Sequence, residues 1–169
     1  RGLGDVYKRQ LENVQLREAS AAPAVAATGG RLTMRNCTLA DHAAGALNVY
    51  GGAVVIEDGV FADNSAPSGG AVSVSGGSFT ATRTRFERNA ATDEGGALHI
   101  SSAAQAVLSN GTLLLGNTAP VGASLRLDLG GRLRYELPAP VGRWLLASDG
   151  VAELALEQYD DDLPFACAP

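Results

Sequence analysis

The sequence predicts an all-β fold, a parallel β-helix (β-solenoid) of about five coils followed by a small C-terminal capping segment. Three observations carry this reading: an internal repeat with steps of 22 to 26 residues, apolar residues alternating with period two inside each repeat, and Gly-Gly pairs that recur at fixed places within it. Such steps are too short for two strands plus a helix and far too short for a propeller blade. They fit two short strands and two corners.

The first series of segments reads PAVAATGG (23–30), GALNVYGG (45–52), GAVSVSGG (70–77), GALHISSA (96–103) and GASLRLDL (122–129). A shared Ala falls at 24, 46, 71, 97 and 123, so the steps are 22, 25, 26 and 26. Within these segments Leu47 and Val49, Val72 and Val74, Leu98 and Ile100, and Leu125 and Leu127 alternate. Alternation of this kind is strand geometry with one buried face. Stacked at about 4.8 Å per coil, the five would form a rod about 24 Å long.

The second series lies between the members of the first and follows the template φ-x-φ-x-N-x-x-φ-x-x-N, where φ is apolar. Leu32, Met34, Asn36 and Leu39 match it, as do Val54, Ile56, Asp58 and Phe61, and Phe79, Ala81, Arg83 and Phe86. The last member, LSNGTLLLGNT (108–118), carries one extra residue, which is expected as a bulge. Asn64, Asn89 and Asn117 recur at the end of the template, and His42 replaces the amide in one coil. Together with Asn36, Asp58 and Asn110 in the earlier Asn slot they are expected to form a structural ladder. A buried amide can bond to its neighbours above and below and to corner backbone groups, and a histidine offers a similar donor and acceptor. Glu12, Arg35 and Glu57 form an outward column of alternating sign, which favours register more than stability.

The paired motifs GGAV (69–72) with FADN (61–64), and GGAL (95–98) with FERN (86–89), resemble the GGA[ILV] and FxxN repeats of the chlamydial polymorphic membrane proteins. The resemblance spans Leu11 to Leu129 and degenerates at LADH (39–42) and LGN (115–117). It implies a right-handed parallel β-helix of the pectate-lyase type, in a secreted or surface protein.

A β-helix of that type often hosts polysaccharide lyases or glycoside hydrolases, which need carboxylates in pairs or clusters. Here the outward columns read Ala26, Asn48, Ser73, His99, Arg126 and Thr28, Tyr50, Ser75, Ser101, Asp128, with one carboxylate in ten positions. On that composition no catalytic, cofactor-binding or metal-binding residue is assigned. His99 beside Arg126 reads as an ordinary surface pair, because a general base also needs an orienting partner and a cleft. The run Asp160-Asp161-Asp162 lacks the Gly and spaced ligands of a calcium loop and reads as solvated tail.

The formal net charge of the 169 residues is -5, and no clustered Lys/Arg face is present, which argues against a nucleic-acid partner. No apolar run approaches the roughly 18 residues of a membrane span. Cys37 occupies a small-residue slot of the repeat and reads as a packed free thiol, whereas Cys167 lies in the tail, so a disulfide between them is not expected. Residues 1–10 stand apart. Asp5–Gln10, back-translated as GAT GTG TAT AAG AGA CAG, resembles a transposon end used in preparing sequencing libraries, so Arg1–Gln10 is expected to lie outside the fold and natural sequence to continue upstream of Leu11.

From Gly130 the repeat is expected to stop. GGRLRYELPAPVGRWLL reads as a strand, a Pro-rich turn and a second strand, with Trp144 placed to cap the last open coil. Val151 to Tyr159 reads as either a helix or a last strand, and Cys167-Ala-Pro169 as the start of a truncated Cys-rich repeat. The function expected is a non-enzymatic structural or adhesive module of a large secreted or cell-surface protein, in contact with carbohydrate or surface proteins. The rival is an inactive fragment of a carbohydrate-active enzyme whose catalytic coils lie elsewhere.

Overall fold

The computed structural model describes residues 8–101, 103–136, 143–147 and 152–154, with Glu136 and the last two segments described as backbone. The first coil contains β1 (Lys8–Glu12), β2 (Gln15–Arg17) and β3 (Val25–Ala27), and the second β4 (Arg31–Arg35), β5 (Thr38–Ala40) and β6 (Leu47–Val49). The third has β7 (Ala53–Glu57), β8 (Val60–Ala62), the short β9 (Ser65–Ser68) and β10 (Val72–Val74). The fourth repeats that order with β11 (Gly77–Thr82), β12 (Arg85–Glu87), β13 (Ala90–Glu94) and β14 (Leu98–Ile100). The fifth has β15 (Ala104–Ser109), β16 (Leu113–Leu115) and β17 (Leu125–Leu127). Corresponding strands of successive coils pair in parallel, so three sheets run the length of the rod and β9 and β13 form a small fourth ladder. The chain is a parallel β-solenoid, and no helix occurs among the described residues.

Each coil therefore holds three principal strands where the template suggested two. The physical reason is the Asn slot. Asn13, Asn36, Asp58, Arg83 and Asn110 all adopt positive φ, between 49° and 55°, which breaks the second series into two strands at a corner. A second corner follows, at which Glu18, Asp41, Asp63 and Arg88 are also left-handed, with φ between 51° and 64°. Side chains at both corners stand outside the rod, so polar residues that tolerate this conformation suffice.

At the corner that returns the chain to the first sheet the requirement is stricter. A Cβ on Gly77, whose φ is 77°, would run into the carbonyl of Gly52 one coil below. Only glycine passes there.

The interior is filled by columns that follow the register. Leu32, Val54, Phe79, Ala106 and Leu133 share one column of the first sheet, and Met34, Ile56, Ala81, Leu108 and Tyr135 the next. The second sheet contributes Leu16, Leu39, Phe61, Phe86 and Leu114. Leu47, Val72, Leu98 and Leu125 come from the third, each with no exposed surface. Phe61 and Phe86 stack with ring centroids 5.0 Å apart and planes 18° from parallel.

Two details of the expected register change. The last step is 27 residues, because Leu98 pairs with Leu125, and Ser124 with 3% exposure occupies the place of Ala97 where Ala123 was expected. The extra residue of LSNGTLLLGNT is not a strand bulge. It sits in the corner, where Asn110 and Gly111 are both left-handed and the strands on either side keep register.

The ends also differ from expectation. Lys8–Gln10 do not lie outside the fold: they extend β1 in register with Arg31–Thr33, their side chains exposed. An open sheet edge accepts backbone partners whatever their side chains. Residues 1–7 lie outside the described residues. At the other end β18 (Arg132–Glu136) pairs in parallel with β15, so the repeat runs one strand past Gly130 before β19 (Arg143–Ala147) turns back antiparallel against it. β20 (Ala152–Leu154) lies antiparallel to β17, which answers the helix-or-strand alternative for that part of 151–159. The backbone of Trp144 pairs with Tyr135, and its indole lies outside the described side chains. Among those that are described, Tyr135 closes this end: it is 6% exposed and its hydroxyl donates to the Thr112 carbonyl at 2.7 Å.

Phe86→Ala should lower the unfolding free energy by about 3–5 kcal/mol, since it removes half of a buried aromatic stack. Urea denaturation followed by circular dichroism measures this, and a loss below about 1 kcal/mol would contradict the packing described.

Candidate functional site

The ladder residues come first, because they show which polar groups the architecture consumes. Asn64, Asn89 and Asn117 form one buried column beside the second corner. Each Oδ1 accepts the backbone N–H of the residue one coil earlier: His42 to Asn64 at 3.1 Å, Asn64 to Asn89 at 3.1 Å, and Asn89 to Asn117 at 3.0 Å. Each Nδ2 donates to a carbonyl of the earlier coil, of Leu39, Phe61 and Phe86 in turn, all at 3.0 Å. The amides also bond to one another, Asn64 to Asn89 at 2.9 Å and Asn89 to Asn117 at 3.0 Å. These are groups that burial would otherwise leave unpaired.

His42 performs the same two tasks with a ring. Its Nδ1 accepts the N–H of Ala19 at 2.9 Å and its Nε2 faces the Leu16 carbonyl at 3.1 Å. A backbone N–H can only donate and a carbonyl only accept, so the ring is neutral and carries its proton on Nε2. Burial holds its pKa below the ordinary 6.5, against smaller opposing effects of the Leu16 hydrogen bond and Asp41.

Asn36, Asp58 and Asn110 are not members of this buried ladder. They are exposed and occupy the left-handed column of the first corner. There Asn36 donates to Asn13 at 2.7 Å, and Arg83 grips Asp58 with two bonds of 2.7 and 2.9 Å that hold the Asp58 carboxyl below the usual range. Arg88 and Asp63 repeat the grip at the second corner, at 2.8 and 2.7 Å. The column Glu12–Arg35–Glu57 is linked at 3.5 and 2.7 Å. Exposed pairs of this kind add little stability.

Cys37 is a free, buried thiol 3.2 Å from the Arg35 carbonyl. Asp160-Asp161-Asp162 and Cys167 lie outside the described residues.

The outer face of the third sheet is where chemistry collects. Ala26, Asn48, Ser73, His99 and Arg126 stand side by side in register. The columns as read from the sequence hold one carboxylate, Asp128. The structure brings a second, Glu94, and the surface reading of His99 is corrected with it: the residue is only 9% exposed.

Two local features deliver Glu94. Between Ala91 and Glu94 the ladder with β9 shifts register, so Ala91 pairs with Ala66 and Glu94 with Ser68, which inserts one residue. Bulges re-aim side chains in this way. Then Gly95, with φ 62°, folds the chain back so tightly that a Cβ there would meet the Leu98 carbonyl. The residue just before the corner thus faces the strand just after it. Glu94 is preceded in this place by Ser68 and followed by Val121, so only the fourth coil puts an acid there. The available signal was the residue before each GGA motif, which belongs to neither apolar column.

Four groups meet as a result. His99 Nε2 lies 3.1 Å from Asp128 Oδ2 and 3.4 Å from Glu94 Oε1. Arg126 Nε lies 3.4 Å from Glu94 Oε2 and 3.5 Å from Asp128 Oδ1. Each carboxylate therefore turns one oxygen to the arginine and the other to the histidine. The His99 and Arg126 side chains are 11% and 14% exposed, those of Glu94 and Asp128 29% and 34%, so the carboxylates form the rim. A recess of about 450 Å³ lies elsewhere, at the first coil, lined by Leu11, Val25, Ala27 and Leu32 among others.

In comparisons with known proteins the chain matches no family model, no curated protein and no solved structure.

The stabilising share of neutral His42 should be complete above pH 6.5 and decline as the pH falls below it, because the unfolded chain then binds a proton that the folded one resists. His42→Asn should keep both backbone bonds and remove this dependence, measured as urea midpoints at pH 7.5 and 5.5. In the same assay Asn89→Leu should cost about 1–3 kcal/mol for each buried backbone group left unpaired.

Proposed function

We propose that the chain is a non-enzymatic structural or adhesive module of a secreted or cell-surface protein, a stiff spacer whose third sheet offers a flat ladder of side chains. The observation that carries this is the outer face itself. Asn48 and Ser73 stand in register one strand apart, and Tyr50 beside them is 55% exposed with its hydroxyl bonded to Asn48 at 3.1 Å. Regularly spaced amide and hydroxyl groups beside an exposed aromatic ring suit a sugar or a surface protein. The resemblance of GGAV/FADN and GGAL/FERN to the polymorphic membrane protein repeats supports the same assignment, and with it a right-handed, pectate-lyase-like coil.

The rival reading, an inactive fragment of a carbohydrate-active enzyme, draws support from the paired carboxylates Glu94 and Asp128. Against activity stands the mutual pairing of the charged groups: Nε2 is directed at both acids, and each acid also lies within ion-pair distance of Arg126. A general base needs a free atom aimed at its substrate.

One experiment separates the two. The protein is printed against arrays of neutral and acidic glycans and cell-surface proteins, and incubated with the corresponding polysaccharides while new reducing ends are counted. Binding that Tyr50→Ala weakens at least tenfold, without polysaccharide cleavage, is the expected result. Cleavage that disappears in Asp128→Asn would replace the module by the enzyme.

A further inference from the structure

We propose that Glu94, His99 and Asp128 form a binding site for a divalent transition-metal ion of the zinc class. The inference does not rest on the adhesive reading, since it concerns the third-sheet cluster alone. The three donor atoms come from three places in the fold: the end of β13, the middle of β14 and the residue after β17. They nevertheless lie within 4.8 Å of one another.

Two of the three donor separations match a metal's needs. With ligands at about 2.1 Å, a tetrahedral zinc ion separates its donor atoms by about 3.4 Å. Here Nε2 is 3.1 Å from one carboxylate oxygen and 3.4 Å from the other. All three donor atoms lie within 4.8 Å of one another, and rotation of the rim carboxylates brings them onto one ion.

Arg126 flanks the set as an ion-pair partner. Its Nε approaches Glu94 Oε2 and Asp128 Oδ1, the two oxygens that do not face His99. The other oxygens, Oε1 and Oδ2, face the imidazole. Charged groups beside ligating carboxylates are a regular part of metal sites. Its charge also has a cost: two acids and one arginine leave a single negative charge, so affinity is lower than for an isolated pair of acids.

Donor chemistry selects the ion. One imidazole nitrogen and two carboxylates suit zinc, nickel or copper, whereas calcium takes six to eight oxygens and magnesium an octahedron of them. The rim position of Glu94 and Asp128 leaves the fourth site to water or to a ligand oxygen.

The test is a thermal melt of the full chain with zinc chloride, calcium chloride or EDTA, repeated for His99→Gln, Asp128→Asn and Glu94→Gln. Zinc at a hundredfold excess over its Kd should raise the melting temperature of the unsubstituted chain by about 5 °C or more. Calcium should not. His99→Gln and Asp128→Asn should abolish the rise, and Glu94→Gln, on the exposed rim and safest for folding, should weaken zinc at least tenfold. Absence of a zinc effect in the unsubstituted chain overturns the site. So does a rise of equal size in Glu94→Gln, which would place the ion elsewhere in the chain.

Discussion

Every coil must bring the chain back to where it started, displaced by one strand spacing along the rod, and the rest of the structure follows from how the corners achieve this. Strand residues are exchangeable within broad limits, because the parallel backbone bonds do not depend on side chains. The corners are not. Four columns of left-handed residues run along the solenoid, from Asn13 to Asn110, from Glu18 to Gly116, from Gly45 to Gly122 and from Gly30 to Gly77. Where the preceding coil's backbone lies directly against the corner, as at Gly77, only glycine passes. Where the side chain stands outside, Asn, Asp, Glu and even Arg occur, and their charges are used for exposed pairs such as Asp58–Arg83 and Asp63–Arg88.

This division explains what was legible in the sequence. The strands and interior columns could be read, because Leu47, Val72, Leu98 and Leu125 repeat with period two inside and a nearly constant step outside. The buried amide column was legible as well, since its backbone demands are identical in each coil. The break of the second series at Asn36, Asp58, Arg83 and Asn110 was not. A mixed column of amide, acid and arginine has no shared chemistry, only a shared φ, and φ is not written in residue type once the side chain points to solvent. β18 was legible as a strand but not as part of the repeat, although its Leu133 and Tyr135 continue two interior columns.

The cluster on the third sheet was half legible. His99, Arg126 and Asp128 lie in columns that the repeat aligns. Glu94 does not, because its position comes from an insertion and a glycine corner, two departures from the repeat. An averaged template removes departures of that kind. Regular coils offer the same side chain at every level and so build ladders, while a site for one ligand needs different groups to converge at one level. Irregularity in one coil supplies that convergence, and the extra residue between Ala91 and Glu94 lies beside the place where, among the described residues, two acids, a histidine and an arginine meet.

The two histidines show how the fold assigns one chemistry to two ends. His42 is enclosed by groups of fixed polarity, a backbone donor at Nδ1 and a backbone acceptor at Nε2. Its ring must therefore stay neutral and in one tautomer, and a second proton would break the Ala19 bond. That is the setting of a structural residue, and an asparagine does the same work in the next three coils. His99 directs Nε2 at two carboxylates, which accept a proton's hydrogen bond and a metal ion's charge equally well. The group there can be exchanged without breaking any backbone bond of the coil. Replaceability of the cation, on a rim where solvent reaches Glu94 and Asp128, separates a binding site from a rung of the ladder.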